Sequence, residues 1–171
     1  MTFLLLRTTI MRACYAAIVV YLWICGCYCH GDNECHSPWK RIGTGCYLIT
    51  KEKVSPDTAF ALCVHHGAFL VNLETLEEAM LLRYELQKMN TGLNFHVGGR
   101  NINRYKQEGD WRWIKKGRMT KMTYFAFGGG QPNGNKATPE DCLFFYASDR
   151  YQLHDVMCYD SKYNGGYICE K

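Results

Sequence analysis

Residues 128–142 read GGGQPNGNKATPEDC in a chain that is otherwise rich in cysteine and aromatic residues. The stretch combines glycines, prolines, carboxamides and a Glu-Asp pair, and it holds almost no side chain that could be buried. It is therefore predicted to be a long surface loop, and loops of this length without regular structure are usually functional or disordered. Which ligand its polar side chains could bind depends also on the neighbouring segments of the chain.

The loop contains three residues with side-chain oxygens that could bind a ligand, Gln131, Asn133 and Glu140, and Asp155 follows the loop. Calcium binds about six to eight oxygens from carboxylates, amides and backbone carbonyls in flexible geometry. These residues therefore suggest a cation site. A polar loop with a Pro-Asn-Gly turn and no ion is the alternative, and composition by itself favours it.

The first 31 residues differ from the rest of the chain. Arg7 and Arg12 stand among no acidic residues, an unbroken apolar run covers residues 13–29, and a polar segment follows. This pattern is typical of a secretory signal peptide, with cleavage at about residues 27–31. A type II membrane anchor is the alternative, because the apolar run approaches the roughly 20 residues that span a bilayer.

Removal of the signal peptide would leave residues 32–171, enough for one domain with a real core. The formal charge would fall from +4 to +2, because residues 1–31 contain two arginines and no acid. That charge is too small, and too little clustered, to predict a nucleic-acid partner. The predicted product is secreted and has no membrane association after cleavage.

Ten cysteines are present, and four of them lie in the signal region: Cys14, Cys25, Cys27 and Cys29. The six that remain are Cys35, Cys46, Cys63, Cys142, Cys158 and Cys169. An even number in an exported domain predicts three disulfides, although cysteine spacing alone does not choose their connectivity. Cleavage after Cys27 would leave Cys29 as an odd thiol that could link two chains.

The chain changes from helical to strand-like patterns near residue 93. Ser55 and Pro56 begin one predicted helix, which Gly67 closes, and Thr75–Glu78 form a capping box for a second helix that runs to about Met89. The later segments are short, aromatic-rich and divided by Gly, Asn and Asp: FHVGG, DWRWI, CLFFYA, LHDVMC and GGYICEK. Helices followed by strands predict an α+β domain.

This order of features resembles the C-type lectin-like domain family over nearly all of residues 35–171. The residues that carry the resemblance are the Cys35/Cys46 pair, Cys63, FHVGG at 95–99, Trp111 with Trp113, Gln131-Pro132-Asn133, Glu140-Asp141-Cys142, Leu153-His154-Asp155 ahead of Cys158, and the ending Tyr167-Ile168-Cys169-Glu170. The resemblance implies an α+β fold with two helices, small antiparallel sheets and a long calcium-binding loop. It also implies the bridges Cys35–Cys46, Cys63–Cys169 and Cys142–Cys158, and a cis bond before Pro132.

The family also implies one calcium site, whose ion completes its shell with sugar hydroxyls. Carried over to this chain, the metal ligands are Gln131, Asn133, Glu140 and Asp155, and His154 stands where asparagine is usual. Only two of these residues are carboxylates, and imidazole is a poor calcium ligand, so weak calcium binding is predicted. A second, auxiliary calcium site is not expected, because the acids that it needs are replaced by NINRY at 101–105.

The sugar signature is mixed. Gln131 follows the pattern typical of galactose binders, whereas Asn133 follows the mannose pattern. No aromatic residue lies between Asn133 and Cys142, which tilts the prediction towards mannose, fucose or N-acetylglucosamine. Tyrosines near the loop could line a sugar subsite: Tyr124, Tyr146 and Tyr151.

The resemblance thus predicts a secreted, single-domain, invertebrate-type lectin that recognises surface glycans with the help of calcium. The alternative is a lectin-like domain without sugar binding, acting as a calcium-independent protein- or mineral-binding module. His154 and Asp155 look like part of a catalytic pair, but no serine or free thiol nucleophile accompanies them, so no enzymatic activity is predicted. One shallow site binds weakly, so a homo-oligomer would be useful for avidity.

Overall fold

The computed structural model describes residues 35–106, 108–123 and 126–171. The predicted signal peptide at residues 1–31, its four cysteines and Tyr124 lie outside the described residues, so the domain boundaries and the cleavage site stay predictions. Within the described part of the chain, no helix is both long and apolar enough to span a bilayer.

The first helix, α1, spans Pro56–His65. Ser55 caps it, because the Ser55 hydroxyl accepts a hydrogen bond from the backbone N–H of Thr58 at 3.3 Å. Pro56 occupies the first turn, where its missing N–H leaves no intrahelical bond unmade. The chain leaves the helix through Gly67, whose φ of 66° lies in the left-handed region. Both predicted ends of this helix are confirmed.

The second helix, α2, spans Leu76–Met89. The Thr75 hydroxyl accepts a hydrogen bond from the backbone N–H of Glu78 at 3.2 Å, as the capping box predicts. The Glu78 carboxylate reaches back to the backbone N–H of Glu74 at 3.0 Å, one residue before the cap. Asn90 ends the helix in the left-handed conformation, which an asparagine tolerates.

Nine strands lie among the described residues. They are β1 (Lys40–Ile42), β2 (Gly45–Val54), β3 (Phe69–Leu70), β4 (Phe95–Asn101), β5 (Trp111–Lys115), β6 (Arg118–Lys121), β7 (Cys142–Tyr146), β8 (Gln152–Val156) and β9 (Gly165–Glu170). The predicted strand-like runs after residue 93 all correspond to strands. Strand β6, which the sequence pattern did not indicate, pairs with β5 across a tight turn at Lys116 and Gly117, both with positive φ.

The strands form one connected sheet in the order β1-β2-β9-β4-β5-β6, with β3 paired to β9 and β7 paired to both β4 and β8. Every pairing of these strands is antiparallel except that of β4 with β9, where His96 lies opposite Tyr167. The predicted α+β fold with two helices and antiparallel strand pairs is confirmed. The β4–β9 contact joins the strands near the chain ends to those that carry the long loop.

The main core packs α2 against the sheet. Leu82 and Leu86 from one face of the helix are fully buried with Phe95, Phe145 and Ile168 from the sheet. Trp111 and Trp113 are also buried, and they alternate along β5 with the half-buried Arg112. The loop that follows β6 ends at β7, whose first four residues are buried.

The three disulfides confirm the connectivity that the family resemblance implied. Cys35–Cys46 staples the β1–β2 hairpin, Cys63–Cys169 ties α1 to β9, and Cys142–Cys158 joins the start of β7 to the segment after β8. The corresponding Cα–Cα distances are 5.6, 5.4 and 5.2 Å. The third bridge brings the end of the long loop next to the strand that carries His154 and Asp155.

Candidate functional site

All five residues that the sequence predicts for calcium and sugar binding line one surface depression. We call it the loop depression, and its lining consists of Asn94, Gln131, Asn133, Glu140, Phe144, Tyr146, His154, Asp155, Val156, Lys162 and Tyr163. The loop supplies Gln131, Asn133 and Glu140, and β8 supplies His154 and Asp155. The structure brings these side chains together, while their roles in binding stay predictions.

Asp155 is the buried anchor of the loop. Its two carboxylate oxygens accept hydrogen bonds from the backbone N–H groups of Asn133 and Gly134, at 3.0 and 2.7 Å. The approach is close, because a Cβ atom on Gly134 would lie 2.9 Å from Asp155 Oδ2. Charge-assisted hydrogen bonds to backbone N–H groups are among the stronger ones. Asp155 therefore fixes the path of the loop as well as facing the depression.

Gln131 brings an acceptor oxygen without a hydrogen-bond partner to the same place. Its Oε1 atom is buried and accepts no hydrogen bond from any of the described residues. The peptide bond between Gln131 and Pro132 is cis, as the family resemblance implied. A buried acceptor without a donor is costly unless water, a ligand or an ion satisfies it.

Glu140 shares its carboxylate with the opposite wall of the depression. Its Oε1 atom accepts a hydrogen bond from the Tyr163 hydroxyl at 3.0 Å. Partial burial raises the pKa of Glu140 above its usual value, and the nearby Asp155 carboxylate adds to the increase, while the Tyr163 hydrogen bond opposes it. Two acidic groups that repel each other across a partly buried space form a site that a cation would stabilise.

His154 is directed towards a different partner. Its Nε2 atom lies 3.0 Å from Asp149 Oδ2, and its ring packs against Tyr146 with centroids 4.8 Å apart. The same hydrogen bond is the main reason why the pKa of Asp149 lies below its usual value. His154 thus lines the depression as a ring that Asp149 holds in place.

Asn133 contributes its exposed side chain to the rim, while its backbone is held by Asp155. Of the tyrosines suggested for a sugar subsite, Tyr146 lines the depression, whereas Tyr151 is buried in the core. Sequence reasoning missed Tyr163 and Lys162, which lie on a short 3-10 turn between β8 and β9. Both residues line the depression, and Tyr163 donates a hydrogen bond to Glu140.

The donor set of the loop depression fits a calcium ion. Glu140 and Asp155 provide carboxylate oxygens, and Gln131 provides a buried amide oxygen that has no other partner among the described residues. These are the hard oxygen ligands that calcium prefers, although two carboxylates are few for tight binding. The imidazole of His154 is a softer ligand and is already engaged by Asp149.

A second group of potential metal ligands is not a metal site. Asp57 lies within ligand distance of Cys142 and Cys158, but those two cysteines form a disulfide with each other. Their sulfurs are therefore not available as thiolates, which are the form that binds metals.

Comparison with protein families gives a match along most of the chain. The family model described as "Lectin C-type domain" matches residues 52–171. That span begins in β2 and includes both helices, the long loop and all the residues of the loop depression.

Two curated relatives are similar over most of the domain. The perlucin-like protein of Mytilus galloprovincialis is 28% identical over 142 residues, which cover 82% of this chain and 85% of that protein. C-type lectin domain family 4 member E of Homo sapiens is 31% identical over 150 residues, which cover 84% of this chain but 64% of the human protein. The chain thus spans less than two thirds of the human relative.

A solved structure described as the Ca2+-independent C-type lectin SPL-2 from Saxidomus purpuratus has the same fold. It superposes with a TM-score of 0.66 at 27% sequence identity, over 84% of this chain and 97% of that one. Proteins with this fold therefore include one whose description states independence of calcium.

Proposed function

The chain belongs to the C-type lectin domain family, and on that premise we propose that it binds glycans through the loop depression with the help of one calcium ion. In this proposal, the protein is secreted, recognises surface glycans and has no catalytic activity. Three disulfides, which persist in oxidising compartments, support export from the cell.

One observation carries the proposal. Gln131 lines the same depression as Glu140 and Asp155, and its buried Oε1 atom has no hydrogen-bond partner among the described residues. The amide oxygen lacks a donor and the two carboxylates carry like charges, so a cation would stabilise all three groups. Sugar hydroxyls provide donors, and a bound calcium ion would accept further hydroxyl oxygens into its shell.

The residues around the loop depression have different roles in the proposed binding. Asp155 holds the loop by its backbone, and Tyr163 holds Glu140, so both carboxylates are oriented before a ligand arrives. Such preorganisation lowers the entropy lost on binding. Tyr146 and His154 offer ring faces on which the apolar face of a sugar can pack.

The sugar class follows from the loop itself. No aromatic side chain lies between Asn133 and Cys142, where a ring would favour galactose. We therefore propose mannose-, fucose- or N-acetylglucosamine-type ligands in preference to galactose-type ligands. Several copies of the domain on one surface would raise the avidity, and a homo-oligomer is part of the proposal.

A second candidate function is calcium-independent binding of a protein or a mineral surface. It is supported by the hydrogen bonds of Asp155, because two backbone N–H groups already satisfy this carboxylate and hold the loop without an ion. The pairing of His154 with Asp149 is also complete without a metal. The fold that this chain shares with the calcium-independent lectin SPL-2 is compatible with this candidate.

Retention on immobilised sugars tests the two candidates against each other. The full secreted protein is applied to mannose, fucose, N-acetylglucosamine and galactose resins in millimolar calcium, and a chelator is then added. We expect retention on at least one of the first three resins and elution by the chelator. Retention that the chelator leaves unchanged contradicts the role of calcium. No retention on any resin contradicts glycan binding through this site and favours the second candidate.

A further inference from the structure

Asn133 and Gly134 form an asparagine–glycine pair in the loop that lines the loop depression. The sequence contains one other such pair, Asn164 and Gly165. Asparagine before glycine is especially prone to deamidation, because glycine has no side chain to hinder attack of its backbone nitrogen on the asparagine side chain. The two pairs have different surroundings, and these predict different reactivity.

The first pair is exposed and lies outside the helices and strands. All residues from 133 to 138 are exposed. The backbone of Asn133 is held by Asp155, but its side chain forms no hydrogen bond with another described residue. That side chain can therefore rotate towards the next peptide nitrogen, as ring closure requires.

The second pair is held by the sheet. Gly165 is buried and is the first residue of β9, where it pairs with Val54 of β2. A Cβ atom on Gly165 would lie 2.6 Å from the carbonyl oxygen of Asn94, so this backbone has little room to move. The nitrogen of Gly165 is therefore fixed, and Asn164 provides an internal control.

Asp155 is placed to act as the base at the first pair. Its Oδ2 atom accepts a hydrogen bond from the backbone N–H of Gly134 at 2.7 Å, within the reach of proton transfer. A Cβ atom on Gly134 would lie 2.7 Å from Glu140 Cβ and 2.9 Å from Asp155 Oδ2, so a larger residue does not fit. The close approach of the loop to Asp155 thus requires glycine after Asn133.

We propose that Asn133 is a site of spontaneous deamidation and that the aspartate formed adds a third carboxylate to the proposed calcium site. The Gly134 nitrogen bonds to Cγ of Asn133. Its proton passes through the Asp155 carboxylate to the side-chain nitrogen, which leaves as ammonia. Water then opens the succinimide ring at either carbonyl carbon and gives aspartate or isoaspartate. The effect on calcium rests on the proposed function, whereas the reaction does not.

The two products should have opposite effects on calcium. Aspartate keeps the backbone unchanged and raises the number of carboxylates at the site, and the ligand charge tunes the affinity of calcium sites. Isoaspartate inserts one more carbon atom into the backbone before Gly134. Its N–H group is then displaced from Asp155, and the loop loses one of its two hydrogen bonds to this carboxylate.

Peptide mapping of the full secreted protein tests the reaction. The protein is kept for several weeks at neutral pH and body temperature without calcium, so that no ion holds the side chains. Tandem mass spectrometry then measures the replacement of the amide at each asparagine. We expect conversion of Asn133 and none at Asn164. An unmodified Asn133, or equal conversion at both positions, overturns the proposal.

Isothermal titration of calcium tests the consequence. The substitution Asn133→Asp reproduces the aspartate product, and we expect it to bind calcium about three- to tenfold more tightly than the wild type. Asn164→Asp is the matched control, because it adds the same charge at the other pair and Asn164 does not line the loop depression. Its calcium affinity should equal that of the wild type.

The outcomes separate this inference from the proposed function. Conversion of Asn133 in a protein that gives no calcium heat keeps the modification site and contradicts the proposed calcium site. Calcium binding that Asn133→Asp does not strengthen overturns the added carboxylate. An Asn133 that stays unmodified in a protein that binds calcium overturns this inference and leaves the proposed function standing.

Discussion

Two disulfide-linked regions of this domain are stabilised in different ways. Around Cys63–Cys169, the side chains of Ala59, Leu70 and Tyr167 are buried against the bridge and form a small apolar cluster. Around Cys142–Cys158, the side chains of Phe144 and Val156 are also buried with the bridge, but the neighbouring loop from residue 133 to residue 138 is exposed throughout. The first region is held by packing throughout, whereas the loop beside the second bridge is held by polar contacts at a few positions.

Side-chain acceptors hold the backbone of the loop at two places. Asp155 alone holds the backbone of Asn133 and Gly134, and Asn135 accepts hydrogen bonds from the backbone N–H groups of Ala137 and Thr138, which makes a local turn. The comparison teaches that stability and recognition are separable here. Changes in the packed region should alter unfolding, and changes in the loop region should alter binding.

Removal of the Cys63–Cys169 bridge has the largest expected effect. The double substitution Cys63→Ala and Cys169→Ala opens a loop with a sequence separation of 106 residues, and the chain-entropy model assigns such a loop about 4.7 kcal/mol of folding stability. The double substitution Cys142→Ala and Cys158→Ala, with a separation of 16 residues, should cost about 3 kcal/mol. Denaturant unfolding curves measure both losses.

Sugar retention by the same two variants sharpens the comparison. Under conditions where both are still folded, the variant without Cys63–Cys169 should bind sugar normally, and the variant without Cys142–Cys158 should bind poorly. Equal retention by the two folded variants would contradict the division between the packed region and the loop.

Acidification should destabilise the folded domain through His96. Its ring is fully buried, with Nε2 at 2.9 Å from the carbonyl oxygen of Val54, and burial lowers its pKa from 6.5 to about 4. The unfolded chain therefore binds a proton between these pH values and the folded protein does not, so stability falls as the pH drops from 6.5 towards 4. The loss amounts to about 3 kcal/mol at most.

Unfolding free energies of the wild type and of His96→Phe over this pH range check the effect. The variant should show a flatter profile, whatever its stability at neutral pH. The buried Glu170 acts in the opposite sense, because burial raises its pKa, and it is present in both proteins. Parallel profiles would show that His96 is not responsible.

The sequence predicted the helices well because their ends carry local signals. Ser55 and Thr75 are caps, and Gly67 marks an exit with positive φ, so each boundary follows from a few neighbouring residues. Strand β6 was missed because all its residues, Arg118–Lys121, are exposed and show no alternation. The parallel pairing of β4 with β9 was missed because no local pattern encodes contacts between distant segments.

The sequence predicted which residues lie at the candidate site, but it did not predict the hydrogen bonds that these residues form. The family motif located Gln131, Glu140 and Asp155, but the motif does not reveal that Asp155 holds the loop backbone. The bond between His154 and Asp149 and the bond between Tyr163 and Glu140 join residues whose partnership depends on how turns fold. Side-chain partners of this kind follow from tertiary structure, which spacing alone does not determine.

The substitution Glu140→Gln tests the central claim most directly, because it changes one charge in the loop region and leaves the packed region untouched. Glutamine keeps the size of the side chain and an oxygen for the Tyr163 hydroxyl, so the fold should be unchanged. Glu52→Gln is the matched control, because Glu52 is exposed on β2 and does not line the loop depression.

The measurement is isothermal titration of calcium into the two variants and the wild type at neutral pH. If Glu140 is one of only two carboxylates at the ion, its loss should weaken calcium binding by roughly tenfold or more, equivalent to about 1.4 kcal/mol. Glu52→Gln should match the wild type. Equal calcium affinity in Glu140→Gln and the wild type, or no calcium heat from the wild type at millimolar concentrations, would contradict the proposed site.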